Sequence, residues 1–228
     1  MPLAVTGLTS GTDAANLSTY TTASVTPSSN ALVLLAVHTR RSAAGTPATP
    51  TATGNGLTWV AVANMTNGTN RKITILRALG ASPSAGAITI DFAGDTQTQC
   101  SWSVIEITGV DTSGTNGSGA VVQAPAGTTG TGTSSSITLA AFGSANNMAY
   151  GFMCVQTTGA ITAGTGFTEV HEVSQAEVAS NIQTEYKLNE TAVTTSWTSS
   201  FTWSALAIEV KEAAATASIR QMALMGVG

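Results

Sequence analysis

Two histidines are the first groups with which this chain could carry out acid–base chemistry at neutral pH. His38 and His171 lie at matching ends of apolar runs in the two parts of the chain. No G-x-S-x-G motif accompanies them, and the "HEV" stretch at His171 lacks the second histidine of a zinc-binding helix. Both are therefore expected to be strand-end residues, and the sequence predicts no catalytic residue, no cofactor and no metal.

Acidic residues offer two further chemistries, paired-carboxylate catalysis and calcium binding. Asp91 and Asp95 flank a turn, and Glu169 and Glu172 are predicted to lie on opposite faces of one strand. Asp91, Asp95 and Asp111 could also ligate calcium from loops. Because an aspartate in a turn commonly accepts hydrogen bonds from nearby backbone N–H groups, turn formation is the preferred interpretation of all three.

Glu106 and Glu209 occupy corresponding places in two strands that close the two parts of the chain. Two alternatives are open for them. They face solvent from the outer side of a sheet, or they pair with a basic neighbour such as Arg77 or Lys187.

Four tryptophans could stack on sugar rings if they are exposed. Trp102 and Trp203 recur at the same place in both parts, which favours core positions. Trp59 and Trp197 have no aromatic counterpart, so we expect them to be exposed or at an interface. They are the candidate glycan or interface contacts.

Composition excludes several function classes. Charged residues make up 9% of 228 residues, with 8 Lys+Arg against 12 Asp+Glu. No basic cluster exceeds two neighbouring residues, so a nucleic-acid-binding surface is not expected. The longest aliphatic run is far shorter than the ~20 residues of a membrane span, and no secretory signal is recognised at the N-terminus. Cys100 and Cys154 lie in apolar runs and are interpreted as a disulfide or as two buried small side chains.

The elements that would position these residues are strands. About a dozen apolar, β-branched runs are separated by Gly, Pro, Asn and Ser clusters, which predicts an antiparallel β-sandwich resembling a jelly roll. The runs follow one another in the same order in two halves, about residues 20–112 and 134–212. "GNGLTW" at Gly54 and "GTGFTE" at Gly164 precede equivalent strands, so their glycines are expected to form turns. A phosphate loop would open a helix instead.

Several motifs resemble a β-sandwich domain that recurs in virion proteins of tailed bacteriophages and in some bacterial surface proteins. They are "TPSSNALVLLAV", "GNGLTWVAVA", "ITILRALG", "AITIDFAG", "WSVIEITGVDTS" and "FTWSALAIEVK". The resemblance covers roughly residues 20–212 and carries no catalytic residues. It implies a non-enzymatic virion protein made in the host cytoplasm, as a head decoration, tail or fibre component. Its partners would be copies of itself and other virion proteins. A carbohydrate-binding adhesin that contacts host-surface glycans is the alternative.

The two ends of the chain flank this sandwich. Residues 1–19 are predicted to form a separate N-terminal segment, and residues 213–228 a C-terminal docking arm with one short helix. The arm is Ala-rich, and Arg220 is its only basic residue. Its apolar side chains suit an adaptable groove on a partner subunit. The predicted docking residues are Ile219, Met222, Leu224 and Met225.

Overall fold

The computed structural model describes residues 2–41 and 45–214, which form fourteen β-strands and no helix. Their bounds are β1 Ala4–Asp13, β2 Thr19–Thr21, β3 Leu32–Arg40, β4 Thr51–Thr53, β5 Val60–Asn67, β6 Arg71–Ala78, β7 Thr89–Asp91, β8 Gln99–Thr108, β9 Val121–Gln123, β10 Thr128–Thr138, β11 Met148–Val155, β12 Thr168–Gln175, β13 Ser180–Leu188 and β14 Ala192–Val210. All pairings between them are antiparallel, so the predicted all-β sandwich class is confirmed.

Two large sheets lie face to face. The first has the strand order β1-β8-β3-β6-β5, and the second has the order β10-β14-β11-β13-β12, with β9 added beside β14. Counted along the chain, both orders read first, fifth, second, fourth, third. The edge strand β1 packs on β12, and β5 packs on β14 at the other side. The common ancestry of the two halves stays a prediction.

One apolar core lies between the sheets. Alternate residues of β3, such as Leu32 and Leu34, meet alternate residues of β11, such as Tyr150 and Phe152. This alternation follows from the two-residue period of a strand, which sends every second side chain to the same face. The core is shared by both halves, because neither sheet can remove its inner face from water alone.

A second layer covers the outer face of the first sheet. The short strands β2, β7 and β4 form a three-stranded sheet whose Ile90 and Phe92 pack on outward residues of β3 and β8. Tyr20 of β2 meets Phe92 edge to face, with ring centroids 6.1 Å apart. The Tyr20 hydroxyl donates to the backbone oxygens of Ala15 and Gln97, which joins the bends that precede β2 and β8.

A folded hairpin covers the outer face of the second sheet. Residues 134–138 of β10 pair with residues 192–196 of β14, beyond a shift in register, and they lie over the outer face. Val193 and Ile137 pack there on Ala149, Met153 and Ala205. Gly151 faces the Val193 side chain, which leaves no space for a Cβ at that position. The molecule is therefore four layers thick.

The chain before β2 and the segment before β11 differ from the sequence prediction. Residues 4–13, predicted to lie in a separate segment, form the edge strand β1 and pair with β8. The Gly/Thr/Ser-rich residues 128–132, which lie between the two predicted halves, pair with β14 as part of β10. Both strands are rich in Gly and Thr, and they lack the apolar alternation by which strands are recognised.

The "GNGLTW" stretch forms a turn before β5, as predicted. Asn55 and Gly56 have φ of 57° and 64°, in the left-handed region where glycine and asparagine are favoured. Asn55 is buried, and its amide nitrogen donates to the backbone oxygens of Val25, Ser84 and Gly86. The turn therefore joins neighbouring loops.

The two cysteines are free and buried. Cys100 packs under the outer three-stranded sheet, whereas Cys154 lies in the core between the two large sheets. Burial raises the pKa of the Cys154 thiol to about 12, so it stays protonated at neutral pH. Of the two interpretations offered by the sequence, that of buried small side chains is the one that agrees with the structure.

Candidate functional site

A groove of about 630 Å³ opens at one end of the sandwich, where the described chain ends. Its walls come from β9, from the end of β14 and from the segment that leads into β11. Residues 211–214, the last of the described chain, also line it. The groove therefore lies at the point where the C-terminal residues leave the sandwich.

The floor of the groove is a polar network around one buried carboxylate. Glu209 is 1% exposed, and its Oε1 and Oε2 accept hydrogen bonds of 2.6 Å from Asn147 Nδ2 and Gln123 Nε2. Gln123 in turn pairs with the backbone N–H and C=O of Ala140. Each oxygen of the Glu209 carboxylate is therefore occupied by an amide donor, which ties β9 and the segment before β11 to the end of β14.

Glu106 has the corresponding role in the first half. It is 8% exposed and accepts hydrogen bonds from Ser28 N at 2.7 Å and from Ser28 Oγ at 2.9 Å. Both alternatives offered by the sequence for Glu106 and Glu209 are therefore wrong. Each glutamate instead fixes the segment that precedes the central strand of its own sheet, because a closing strand runs beside that segment.

The rim of the groove combines an exposed apolar residue with one ion pair. Val122 is 53% exposed, which is unusual for valine in this molecule. Lys211 Nζ lies 2.7 Å from Asp111 Oδ2, and this hydrogen bond is the largest of the causes that lower the pKa of Asp111 to about 2. Ala213 N donates to Gly109 O, which holds the chain against the sandwich up to the point where it leaves.

The predicted docking residues Ile219, Met222, Leu224 and Met225 lie outside the described residues, as does the predicted short helix. What the structure adds to that prediction is the place where this segment begins. Ala214, the last described residue, is itself part of the groove wall.

The two candidate contact tryptophans differ in exposure. Trp59 is half-buried against the layer under the three-stranded sheet, and its indole N–H lies 3.4 Å from Gly54 O. Trp197 is only 6% exposed, and its Nε1 donates to Gly132 O at 2.9 Å. The expectation that Trp197 is exposed is therefore wrong within one chain. Its ring fills the sharp bend of the folded hairpin beside Ile161.

The recurrent tryptophans each cover a glycine on the neighbouring strand. Trp102 lies over Gly11 and Trp203 over Gly130, and a Cβ added at either glycine would come within 2.8 Å of the ring. Trp102 is 7% exposed, as expected for a core residue, whereas Trp203 is half-buried. Glycine at positions 11 and 130 thus has a packing role.

Neither histidine has the geometry of a catalytic site. His171 Nδ1 lies 2.9 Å from Ser103 Oγ, but Ser103 is fully buried and also bonds Thr184. His38 is 1% exposed, and burial with nearby Arg71 lowers its pKa to about 3. His38 is therefore a neutral core residue at physiological pH.

Asp91 and Asp111 adopt the preferred turn role, whereas Asp95 joins a distant segment and forms an ion pair with Arg41. Oδ1 of Asp91 and of Asp111 accepts the N–H two residues later, at 2.8 Å in both cases, and Asp95 Oδ2 accepts Ala48 N. Within residues 2–41 and 45–214 no group of three His, Cys, Asp or Glu residues could hold a metal ion. The described chain also contains no helix that is long and apolar enough to cross a membrane.

Glu169 and Glu172 lie on the same outer face of β12, and the prediction of opposite faces is wrong. The cause is a shift in register between Glu169 and His171, which inserts Val170 as an extra residue. Glu169 pairs directly with Glu185 of β13, and Gln183 donates to Glu169 Oε2 at 2.9 Å. A bulge of one residue cannot be recognised from alternation alone.

These carboxylates hold the loop between β11 and β12 on the second sheet. Glu172 Oε1 accepts Ile161 N at 2.8 Å, and Glu185 Oε2 accepts Gly164 N at 2.9 Å. Burial, opposed by the Gly164 hydrogen bond and reinforced by Glu169, raises the pKa of Glu185 to about 7. The network is a structural latch in which one oxygen of Glu172 and one of Glu185 accept backbone N–H groups, while Glu185 Oε1 is buried without a partner in the described chain. Sequence reasoning missed Glu185, which reads there as an ordinary strand residue.

Comparison with protein-family models, with curated proteins and with solved structures found no match for this chain.

Proposed function

We propose that this protein is a non-enzymatic structural subunit of a tailed-phage virion, attached to its neighbours through its C-terminal segment. The observation that carries the proposal is the groove beside Ala214, which lies where the apolar residues 215–228 begin. A particle subunit needs a rigid body and an adhesive segment, and four packed β layers supply the first.

Charge and polarity make the groove and the segment a suitable pair. Glu212 lines the groove as the acidic group that could meet a cation, since Glu209 is occupied by amide donors, and Lys211 is already paired with Asp111. The segment contributes one positive charge, Arg220, among Ala, Met and Leu. A neighbouring copy that received this segment would bury its apolar side chains against the Val122 side of the groove, and such burial stabilises subunit contacts.

Truncation after Ala214 tests this proposal. It leaves the hydrogen bond from Ala213 N and the bridge between Val110 and Glu212 intact, so the sandwich itself should fold. We expect the full chain to self-associate or to join purified particles, and the truncated chain to remain monomeric. Light scattering after size-exclusion chromatography and a particle-binding assay measure this.

Two variants show whether the groove is the receptor. Val122→Asp should weaken association by adding a charge to the apolar rim. The matched control is Ser174→Asp, which adds the same charge at an exposed position on β12. A buried valine such as Val62 is not suitable as a control, because it packs on the core. Association that survives the truncation unchanged would exclude the docking role of residues 215–228.

A carbohydrate-binding adhesin is the second candidate, and the partial exposure of Trp59 favours it. The Trp59 ring lies at the start of β5, between the turn that contains Asn55 and the edge of the first sheet. Glycan-array binding that is lost in Trp59→Ala and retained in Trp59→Phe would favour this function, since stacking needs only an aromatic face. The absence of any glycan binding by the full chain would count against it.

A further inference from the structure

Two arginines lie side by side at the end of the sandwich opposite the groove. Arg40 of β3 and Arg71 of β6 are direct cross-strand partners in the first sheet. Ala36 of β3 and Ile73 of β6 point into the core between the sheets. Arg40 and Arg71 are separated from them by an even number of residues along their strands, so both side chains lie on the same inner face. Like charges placed directly opposite in a sheet repel each other.

Within residues 2–41 and 45–214, no ion pair joins either arginine to a carboxylate. The ion pairs in the described part of the chain use Arg41, Lys187 and Lys211 instead. Facing Arg71 from the second sheet is Cys154, whose thiol is protonated and neutral. Arg40 and Arg71 are half-buried, and guanidinium groups that lose water without an acidic partner carry a free-energy cost.

Unpaired donors accumulate at the same place. Arg40 Nε and Arg71 Nη1 are buried nitrogen atoms without a hydrogen-bond partner. His38 Nε2, one step further inside the same face, is also unpartnered, on a side chain that is 1% exposed. His38 Nδ1 faces Gln99 Nε2 at 3.4 Å, so the neutral ring carries its proton on Nε2.

All three unpaired groups are therefore N–H donors. Gln99 Oε1, the neighbouring buried acceptor without a partner, could take one N–H but cannot neutralise two positive charges. Buried polar groups are rarely left without partners, and three donors against one acceptor, with two positive charges among the donors, indicate a ligand that accepts hydrogen bonds and is negatively charged.

We propose that Arg40, Arg71 and His38 form a binding site for an oxyanion group, a phosphate or a carboxylate, at the end of the sandwich remote from the C-terminal groove. The two guanidinium groups supply charge and paired N–H donors, which match the oxygen atoms of such anions. His38 adds a donor that carries no charge at neutral pH. The site goes beyond the proposed virion role and uses none of residues 215–228.

Thermal unfolding of the full chain in different anions tests the site. Millimolar phosphate, sulfate or acetate is compared with sodium chloride of equal ionic strength. A bound anion stabilises the folded state in proportion to the logarithm of its concentration above Kd. We expect the Tm of the unsubstituted protein to rise by several degrees in at least one oxyanion. A rise in Tm with phosphate and sulfate but not with acetate would assign the site to a tetrahedral anion. A rise with acetate as well would show that the site also accepts a carboxylate.

Substitutions separate binding from general salt effects. Arg71→Gln should weaken binding at least about tenfold, because it removes charge-assisted hydrogen bonds. Arg77→Gln is the matched control. Arg77 lies on the same face of β6, but it is at the groove end and its Nε already donates to Asn116 O at 3.2 Å. It should leave the anion effect unchanged.

A charge reversal provides the second variant. Arg71→Glu places a carboxylate opposite Arg40, so it should supply the missing acceptor, raise the Tm in chloride and abolish the response to anions. The proposal is overturned if phosphate, sulfate and acetate all act like chloride on the unsubstituted protein. It is also overturned if Arg71→Gln and Arg71→Glu respond to the anions as strongly as Arg77→Gln does.

Discussion

The two large sheets have one strand order, yet their outer faces are built from different chemistry. Beside the register shift of β5, Ala61 pairs with Leu76, and the face is covered by a three-stranded apolar layer. Beside the register shift of β12, Glu169 pairs with Glu185, and a loop covers the face by donating backbone N–H groups to carboxylates. The same strand order therefore tolerates an apolar cover as well as a hydrogen-bonded one.

The inner faces differ in the same way at the end remote from the groove. In the first sheet β6 begins with Arg71 beside Arg40, whereas the corresponding strand of the second sheet, β13, begins with Ser180. The second sheet therefore has no pair of positive charges at that place. A function that depends on charge can reside in one half while the architecture stays common to both.

The largest difference between the sheets is expected at the recurrent tryptophans. Trp102→Ala should lower the free energy of unfolding by about 4 kcal/mol, since it opens a cavity in a buried layer, and Trp203→Ala by about 2 kcal/mol, since its ring is half-buried. Urea unfolding of both variants measures the difference. Equal losses would mean that the two outer layers pack their tryptophans equally well.

The next effect concerns the carboxylate latch and depends on pH. The pKa of Glu185 is raised from its ordinary value of 4.5, which applies to the unfolded chain, to about 7 in the folded protein. Folding therefore favours the neutral acid. Its contribution to stability is fully present below about pH 4.5 and is lost as the pH rises through about 7. Glu185→Gln should match the unsubstituted protein in acid and exceed it by about 2 kcal/mol in mild alkali, after allowance for screening.

Thermal unfolding across this pH range checks the latch. Glu177→Gln, an exposed position at the turn before β13, is the control and should follow the unsubstituted protein throughout. A Glu185→Gln protein that shows the same pH dependence as the control would mean that the Glu185 carboxylate is ionised in the folded state without cost.

The smallest effect compares the two sides of the sandwich, where β5 packs on β14 and where β1 packs on β12. Asn67 is 8% exposed, and its amide donates to Trp203 O and Ser204 Oγ, whereas Gln175 is half-buried and makes a 3.3 Å bond to Thr12. Asn67→Ala should cost about 1.5 kcal/mol and Gln175→Ala about 0.5 kcal/mol. The same urea titrations measure both losses in the free energy of unfolding. A larger loss for Gln175→Ala would mean that the contact between β1 and β12 contributes more than that between β5 and β14.

Much of the fold could be predicted because the central strands have a clear sequence pattern. β3, β8 and β11 are runs of apolar and β-branched residues bounded by turn residues, which is the pattern from which strands are predicted. The edge strand β1 and the first part of β10 could not be recognised, since Gly11 and Gly130 lie under a tryptophan of the neighbouring strand and give no apolar pattern of their own.

The site residues were less accessible to sequence reasoning. Trp197 has no counterpart in the other half, which favours exposure, but a bend in β14 turns its ring inward. Glu209 is recognisable as an acid near the end of a strand, yet nothing in the sequence shows that Asn147 and Gln123 approach it. Those partners come from segments 62 and 86 residues away.

The sequence by itself determined the all-β class, the positions of the main strands and the turn at Asn55, because period-two alternation and left-handed backbone preferences are local properties. The tertiary structure decided which polar groups lose water. A bulge at Val170 placed two glutamates on one face, the pairing of β3 with β6 brought Arg40 beside Arg71, and the end of β14 created the groove at Ala214. Each of these depends on contacts between distant segments, which no local pattern specifies.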